Sequence, residues 1–280
     1  MSLLVVGTTA LDSIKTPYAE NPRLLGGSAS HAAIAASFFT KTHLVGAVGD
    51  DFPRKYINLY RKHGLCLEGL VQLSGQTFHW SGEYEVNMNN RRTLDTVLGV
   101  IEGYSPTLPT AYTKLPYVLL ANIAPDVQGR VLDQMRRPKF VVADTMDLWL
   151  NIAREPLLKL LKRIDCLVLN DSEAAQLVEE DNVIAAMPRI HKLGPKYVIV
   201  KKGEHGSILS SPKGLFIAPA YPLKKVVDPT GAGDSFVGGL IGYLASQKGS
   251  VGKNLRSAII HGTATASFCC EGFGLRKTSS

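Results

Sequence analysis

The feature that most restricts this chain is a recurring short run of Val, Leu and Ile set between stretches of helical length. The runs are Leu3–Val6, His43–Val48, Tyr117–Ala121, Phe140–Ala143, Cys166–Leu169 and Tyr197–Lys201. A strand apolar at consecutive positions must be covered on both faces, which is the condition of a parallel sheet between two helical layers. The intervening segments fit helices: Pro53–His63 is closed by Gly64, and Val127–Met135 is closed by Pro138. The alternation predicts an α/β domain with a mostly parallel sheet. Ligand sites in such a fold lie at the carboxyl ends of the strands.

Composition sets limits on that domain. A chain of 280 residues with 45% apolar and 20% charged side chains buries a sizeable core as an ordinary globular protein. No apolar run is long enough to span a bilayer, and Leu3–Val6 is too short for a signal-peptide core and has no basic flank. The expectation is a cytoplasmic protein without a membrane partner. Cys66, Cys166, Cys269 and Cys270 show no CxxC spacing and read as free, mostly buried thiols. The net charge of +7 comes from scattered pairs such as Arg91-Arg92, Arg136-Arg137, Lys201-Lys202 and Lys224-Lys225. Without a basic run or an aromatic reading surface, these pairs favour a solvated face or an anionic metabolite over nucleic acid.

One segment departs from the pattern. From Gly75 to Tyr104 the chain is polar and aromatic, alternates with period two and holds an Asn89-Asn90 turn candidate. Antiparallel strands are expected there, either as an extension of the main sheet or as a cover over a substrate.

The chemistry concentrates in Asp228-Pro229-Thr230-Gly231-Ala232-Gly233-Asp234-Ser235-Phe236. Pro229 and the glycines mark a tight turn into a small-residue helix. Small residues let backbone N–H groups face a ligand, and a helix N-terminus favours an anion. Asp234 stands beside that anion site, where a carboxylate either caps the helix or accepts the proton of an attacking hydroxyl during phosphoryl transfer. No GxxxxGK[ST] run occurs, so a P-loop is excluded.

The run from Asp228 to Phe236 resembles the C-terminal signature of the ribokinase-like (PfkB) carbohydrate kinase family. The resemblance implies one three-layer α/β/α domain over residues 1–280, with a mostly parallel central sheet and a small β-sheet lid inserted at about 13–25 and 75–104. It implies that Asp234 is the catalytic base and that Gly231, Ala232 and Gly233 form the anion hole. Gly26-Gly27-Ser28 is similar to the family's N-terminal signature that contacts the acceptor, and Gly46-Ala47-Val48-Gly49-Asp50-Asp51 stands where a GxxGDD-like run follows. Asp12, after the first strand, corresponds to an acid that holds substrate hydroxyls, a role that suits a carboxylate facing vicinal diols.

The nucleotide side is read the same way. Asn170-Asp171-Ser172-Glu173 is similar to the NxxE motif, which implies Mg²⁺ placement through Glu173; the same residues also make a capping box. Asp144, ending the strand Phe140–Ala143, is a further phosphate-side acid. Val198–Gly206 resembles the TxGxxG segment that lines the nucleotide, with Lys201 where Thr is often found. Gly203, Gly206 and Thr230 belong to the implied nucleotide contacts, and His261 stands about where a base-side Asn is often found. The implied co-substrate is ATP with Mg²⁺ and a monovalent cation such as K⁺, and the implied assembly is a homodimer through the lid.

The expected activity is ATP-dependent phosphorylation of a sugar hydroxyl. A nucleoside acceptor is the alternative, since Phe78, Trp80 and Tyr84 can stack a base as well as cover a sugar. A non-catalytic sugar or nucleotide sensor would have lost Asp234 or the glycines, and all are present.

Overall fold

The computed structural model describes residues 1–279. Among these residues one nine-stranded sheet runs in the order β13–β12–β11–β10–β9–β8–β1–β4–β5. In chain order its strands are β1 (Leu3–Val6), β4 (Thr42–Val48), β5 (Cys66–Gln72), β8 (Tyr117–Leu120), β9 (Phe140–Asp144), β10 (Cys166–Asn170), β11 (Tyr197–Lys201), β12 (Ser207–Ser211) and β13 (Gly214–Ala218). Every neighbouring pair from β5 to β11 is parallel, and β12 and β13 add antiparallel hairpins at one edge.

The alternation along each central strand explains why its sequence is apolar throughout. Leu3, Val5, Tyr117, Leu119, Phe140, Val142, Cys166 and Val168 point to one core. Leu4, Val6, Val118, Leu120, Val141, Ala143, Leu167 and Leu169 point to the other. The first core is closed by α1 (Ser28–Ser37), α8 (Ala232–Ser246) and α9 (Val251–Cys270). The second is closed by α3 (Pro125–Gln134), α5 (Arg154–Leu161), α6 (Asp171–Val178) and α7 (Val183–His191). Each fully buried Val or Leu contributes roughly 1.5–3 kcal/mol, so the two cores hold the sheet between its helical layers.

A second sheet of four strands, in the order β3–β2–β6–β7, is built from β2 (Ala10–Lys15), β3 (Glu20–Gly26), β6 (His79–Tyr84) and β7 (Arg91–Val97). Its β6–β7 hairpin is antiparallel and turns through residues 85–90, which include the Asn89-Asn90 pair. Asp12 differs from its expected setting. It lies inside β2 of this small sheet rather than at the end of β1.

The root of the small sheet is tied to the end of β4. Asp51 Oδ1 accepts from Thr77 N and Thr77 Oγ1, both at 2.7 Å, while Arg23 Nη2 pairs with Asp51 Oδ2 at 2.8 Å. Asp50 Oδ2 accepts from Gly75 N at 3.0 Å. The Asp50-Asp51 pair therefore anchors the β5–β6 connection and strand β3 of the small sheet.

Three features carry the site. Strands β9, β10 and β11 end side by side at Asp144, Asn170 and Lys201. Helix α8 begins at that same edge. Its register against α1 is set by Gly238 and Gly242, which face Ala32 and Ala36 so closely that backbone lies where a Cβ would go. Among the described residues no helix is long and apolar enough to cross a membrane.

Replacing Gly238 by Ala drives a methyl into the Ala32 carbonyl. We expect a loss of about 1–3 kcal/mol in denaturant unfolding, with reduced turnover because α8 must shift. Unchanged stability would show that the α1–α8 contact has slack.

Candidate active site

The turn before α8 is fixed from below. Asp228 is fully buried, and its carboxylate accepts from Thr230 N at 2.9 Å and Gly274 N at 3.1 Å. Val227 N donates to Cys270 O at 2.8 Å, so the end of α9 clamps the same loop. Gly231 caps α8 with φ 79°, and the His31 ring fills the place of its missing side chain. No other residue type fits there: the backbone is left-handed and the space is taken. His31 is 1% exposed, and burial pulls its pKa down to about 4, so a neutral ring supports the turn. Cys269 joins this support, its thiol 3.2 Å from Thr230 O and 3.7 Å from His31 Nδ1.

Above that floor the first turn of α8 faces the strand ends. Ala232 N–H donates to Pro229 O at 3.1 Å. The N–H groups of Gly233 and Asp234 lie in the first turn, where a helix has no acceptors of its own. The helix end therefore offers donors and partial positive charge to an anion.

Asp234 shares this space with three other charged groups. Lys201 Nζ lies 3.3 and 3.2 Å from the two Asp144 oxygens, in an ion pair with side chains 19% and 6% exposed. A Cβ on Gly233 would lie 3.0 Å from Lys201 Nζ, so the ammonium sits directly beside the glycine turn. Burial, helped by Asp144, pushes the Asp234 carboxyl up to about 7 against the pull of Lys201 and Arg91. Burial pulls Lys201 down, but Asp144, Glu173 and Asp234 outweigh it and leave its pKa raised. Glu173 is 8% exposed and burial lifts its pKa to about 7, against the pull of Lys201. It closes a capping box with Asn170, whose Oδ1 accepts from Glu173 N at 2.8 Å while Glu173 Oε2 accepts from Asn170 N at 2.7 Å.

A further carboxylate approaches from the small sheet. Asp12 is 5% exposed, its Oδ2 accepts from Gly27 N at 3.3 Å, and its Oδ1 is buried without a partner. Burial raises its pKa to about 7, with added repulsion from Asp234 and Asp228. Gly26 is required beside it, because any Cβ would fall on Asp12 Oδ2. Ser28 serves the scaffold: its Oγ donates to Asn122 O at 2.8 Å and accepts from Thr8 N at 3.1 Å. Thr230 reaches the small sheet through its Oγ1, 3.1 Å from Tyr84 Oη.

The structure therefore brings Asp12, Gly27, Asp144, Glu173, Lys201, Gly233 and Asp234 to one region. Gly203 and Gly206 form a one-turn 3₁₀ loop directly after β11, with φ 53° and 84°. His261 is engaged elsewhere. Its ring stacks on Tyr243 at 4.0 Å and meets Phe39 edge-on at 5.4 Å. Tyr243 is nine residues beyond Asp234, about 14 Å along α8. Arg91 and His31 were not picked out from the sequence. Arg91 gave only a basic pair, and His31, three residues beyond Ser28, carries no signal of its own.

Comparisons with known proteins give the family and the fold. The profile described as "pfkB family carbohydrate kinase" matches residues 19–280, and the chain belongs to that family. A cytidine kinase of Thermococcus kodakarensis is 28% identical over 251 residues, covering 87% of this chain and 88% of the relative. A bifunctional ribokinase/ribose-5-phosphate isomerase A of Fructilactobacillus sanfranciscensis is 34% identical over 125 residues, 43% of this chain and 22% of that protein. The crystal structure of a Methanocaldococcus jannaschii nucleoside kinase superposes with a TM-score of 0.78 at 21% identity, covering 99% and 94% of the two chains, which establishes the shared fold.

The raised carboxyls also set a stability slope. Asp12, Glu173 and Asp234 hold protons in the folded protein up to about pH 7 that the unfolded chain releases from about pH 4, so stability falls as pH rises through that window. Melting of the ligand-free protein is expected at a lower temperature at about pH 8 than at about pH 5.5, and Asp12→Asn should flatten the difference. A slope of the opposite sign would contradict the burial of these groups.

Proposed function

We propose that the chain is an ATP-dependent kinase of nucleosides, with Asp234 as the general base. The observation that carries the reading is the placement of Asp234: a desolvated carboxyl on the first turn of α8, beside its N–H donors and Lys201. A carboxyl raised to about 7 has the basicity to take a proton at neutral pH, where an ordinary aspartate is a weaker base. The acceptor oxygen attacks the γ-phosphorus of ATP, the bond to the β–γ bridging oxygen breaks, and Asp234 takes the hydroxyl proton. The α8 N-terminus and Lys201 carry the charge on the phosphoryl oxygens.

The remaining roles follow from position. Asp12 offers its unpartnered buried Oδ1 to acceptor hydroxyls, and Gly26 and Gly27 let the acceptor approach the backbone. The loop Gly203–Gly206 lines the nucleotide side. Mg²⁺ keeps most of its waters and uses few protein carboxylates, and Asp144 at the end of β9 with Glu173 in the first turn of α6 fits that requirement. When bound, it screens the phosphate charge. A monovalent cation fits less well: both oxygens of Asp228, the buried carboxylate under the turn, already accept backbone N–H groups. We assign no step to such an ion.

The four-stranded sheet is read as the lid over the acceptor. Tyr84 reaches Thr230, and Asn89 Nδ2 donates to Glu204 Oε1 at 3.3 Å. The hairpin thus touches the anion turn and the nucleotide loop together. The nucleoside acceptor is favoured over a free sugar by the extent of likeness: the cytidine kinase matches along most of both chains, the ribokinase relative along less than half of this one.

Turnover of Mg·ATP with cytidine, other nucleosides, ribose and other sugars tests the reading. Phosphorylation of a nucleoside is expected, with free sugars poorer. Phosphorylation of sugars alone would overturn the acceptor class, and turnover with none would overturn the kinase reading. Asp234→Asn should bind acceptor and ATP but lose on the order of 100-fold or more in kcat, and a near-normal kcat would remove Asp234 from the role of base.

A further inference from the structure

Beside the Gly26-Gly27 loop lies a cleft of about 280 Å³ that none of the roles above uses. One wall is Leu24 and Leu25 of β3, and the facing wall is Phe273 and Leu275 of the segment after α9. Tyr56 and Leu59 of α2 (Arg54–Lys62) close a third side. Leu25 and Leu275 are buried, whereas Leu24, Tyr56, Leu59 and Phe273 are half-buried and keep apolar surface open to water. None of Asp12, Asp144, Glu173, Lys201 and Asp234 lines this cleft.

The rim of the cleft carries charge of one sign. Lys55 and Arg276 line it and are exposed, and no acidic residue does. Lys55 Nζ stands over the Tyr56 ring, 4.9 Å from its centroid, so the ammonium is held at the edge of an apolar wall. Among the described residues neither Lys55 nor Arg276 is in an ion pair. The neighbouring Arg23, by contrast, is paired with Asp51. Helix α2 adds Arg54, Arg61 and Lys62 and contains no acidic residue. An apolar floor beneath two unpaired cations is complementary to a molecule with an apolar body and an anionic head.

We infer that this cleft is a second ligand site, for a small apolar carboxylate or sulfonate, and that its occupant braces the Gly26-Gly27 loop from outside the strand-end site. The space equals that of about nine water molecules, which suits a small molecule and not a protein surface. Water against leucine and phenylalanine walls is poorly held, so an apolar body gains by displacing it. Lys55 and Arg276 then select an anionic head over a neutral one. The bracing follows from what the walls are joined to. Leu25 leads directly into Gly26-Gly27. Gly274 also lines the cleft, and its N–H holds Asp228 Oδ2 at 3.1 Å. A Cβ on Gly274 would lie 3.2 Å from Leu25 O, so the two walls already touch at one end. A molecule wedged between them restrains the loop and the floor of the anion turn together.

The test titrates the full chain with 8-anilinonaphthalene-1-sulfonate, an aromatic body with one sulfonate whose fluorescence reports apolar contact. One saturable site with a Kd below about 100 μM is expected, and Mg·ATP should not displace the probe. The non-fluorescent carboxylate 4-phenylbutyrate should compete with it. Lys55→Glu and Arg276→Glu, both at exposed positions, should each weaken binding by about threefold or more. Arg61→Glu, on α2 but outside the cleft, should bind as wild type. Leu59→Trp should abolish binding by filling the space; if that variant does not fold, the two charge reversals decide. N-phenyl-1-naphthylamine, the same body without the sulfonate, should bind more weakly and ignore the charge reversals.

Amide hydrogen exchange of wild type with and without the sulfonate tests the bracing. Exchange should slow over residues 23–27 and 273–276. No saturable binding, equal affinity in Lys55→Glu, Arg276→Glu and Arg61→Glu, or full displacement by Mg·ATP would overturn the inference. So would protection that misses both segments, or a stable dimer of the free chain that must dissociate before the probe binds, which would give the cleft to a second copy. No arm of the test needs turnover, so failure of the kinase reading is distinguished from failure of this one.

Discussion

Helix α8 is buried along most of its length, and its first turn has to face the place where three strands end. Both conditions follow from one packing constraint. Gly238 and Gly242 bring α8 against the backbone of α1, and Gly239 receives Thr265 of α9. With the axis so fixed, Gly231 is the last residue that can turn the chain, because the His31 ring occupies the space beneath it. The turn is over-determined: Asp228, Cys269 and the end of α9 hold it from three sides. Asp234 inherits a position it has no freedom to leave.

That position is electrostatically costly. Asp144, Glu173 and Asp234 crowd around one largely buried lysine, with Asp12 beyond Asp234. A buried ion pair such as Lys201–Asp144 contributes little net stability, although breaking it by removing one partner costs about 3–5 kcal/mol. An excess of buried carboxyl groups has no structural advantage over apolar packing. It does leave carboxyls near pKa 7 beside helix-end donors, which is the condition for proton and phosphoryl chemistry at neutral pH. The ion that accompanies ATP and the phosphate itself bring opposite charges to the same place.

Much of this was legible in the sequence, for reasons that differ by element. The central strands were read to within a residue or so because both faces are buried, which leaves a continuous apolar run. Strand β2 was not picked out of the opening run because Asp12 and Ser13 interrupt it, and β5 was missed because Cys66–Gln72 mixes polar and apolar residues at a sheet edge. The start of the last helix at Val251 is not marked in the sequence, since its first turn is polar and largely exposed. Asp234 and its glycines stood out because a local run of small residues needs no tertiary information. The Lys201–Asp144 pair joins residues 57 positions apart and follows only from strand order. Arg91 depends on the β6–β7 register, where a shift of one residue would have exchanged it with Arg92.

The pH dependence of kcat/KM tests most directly the claim that a desolvated Asp234 is the base. The value for the free enzyme should rise with pH through ionisation near 7, where the raised carboxyl of Asp234 titrates together with those of Asp12 and Glu173, and should level off above it. A profile flat from about pH 5 to 8 would show that Asp234 is already ionised like an ordinary surface aspartate, or is not the base, and would contradict the account.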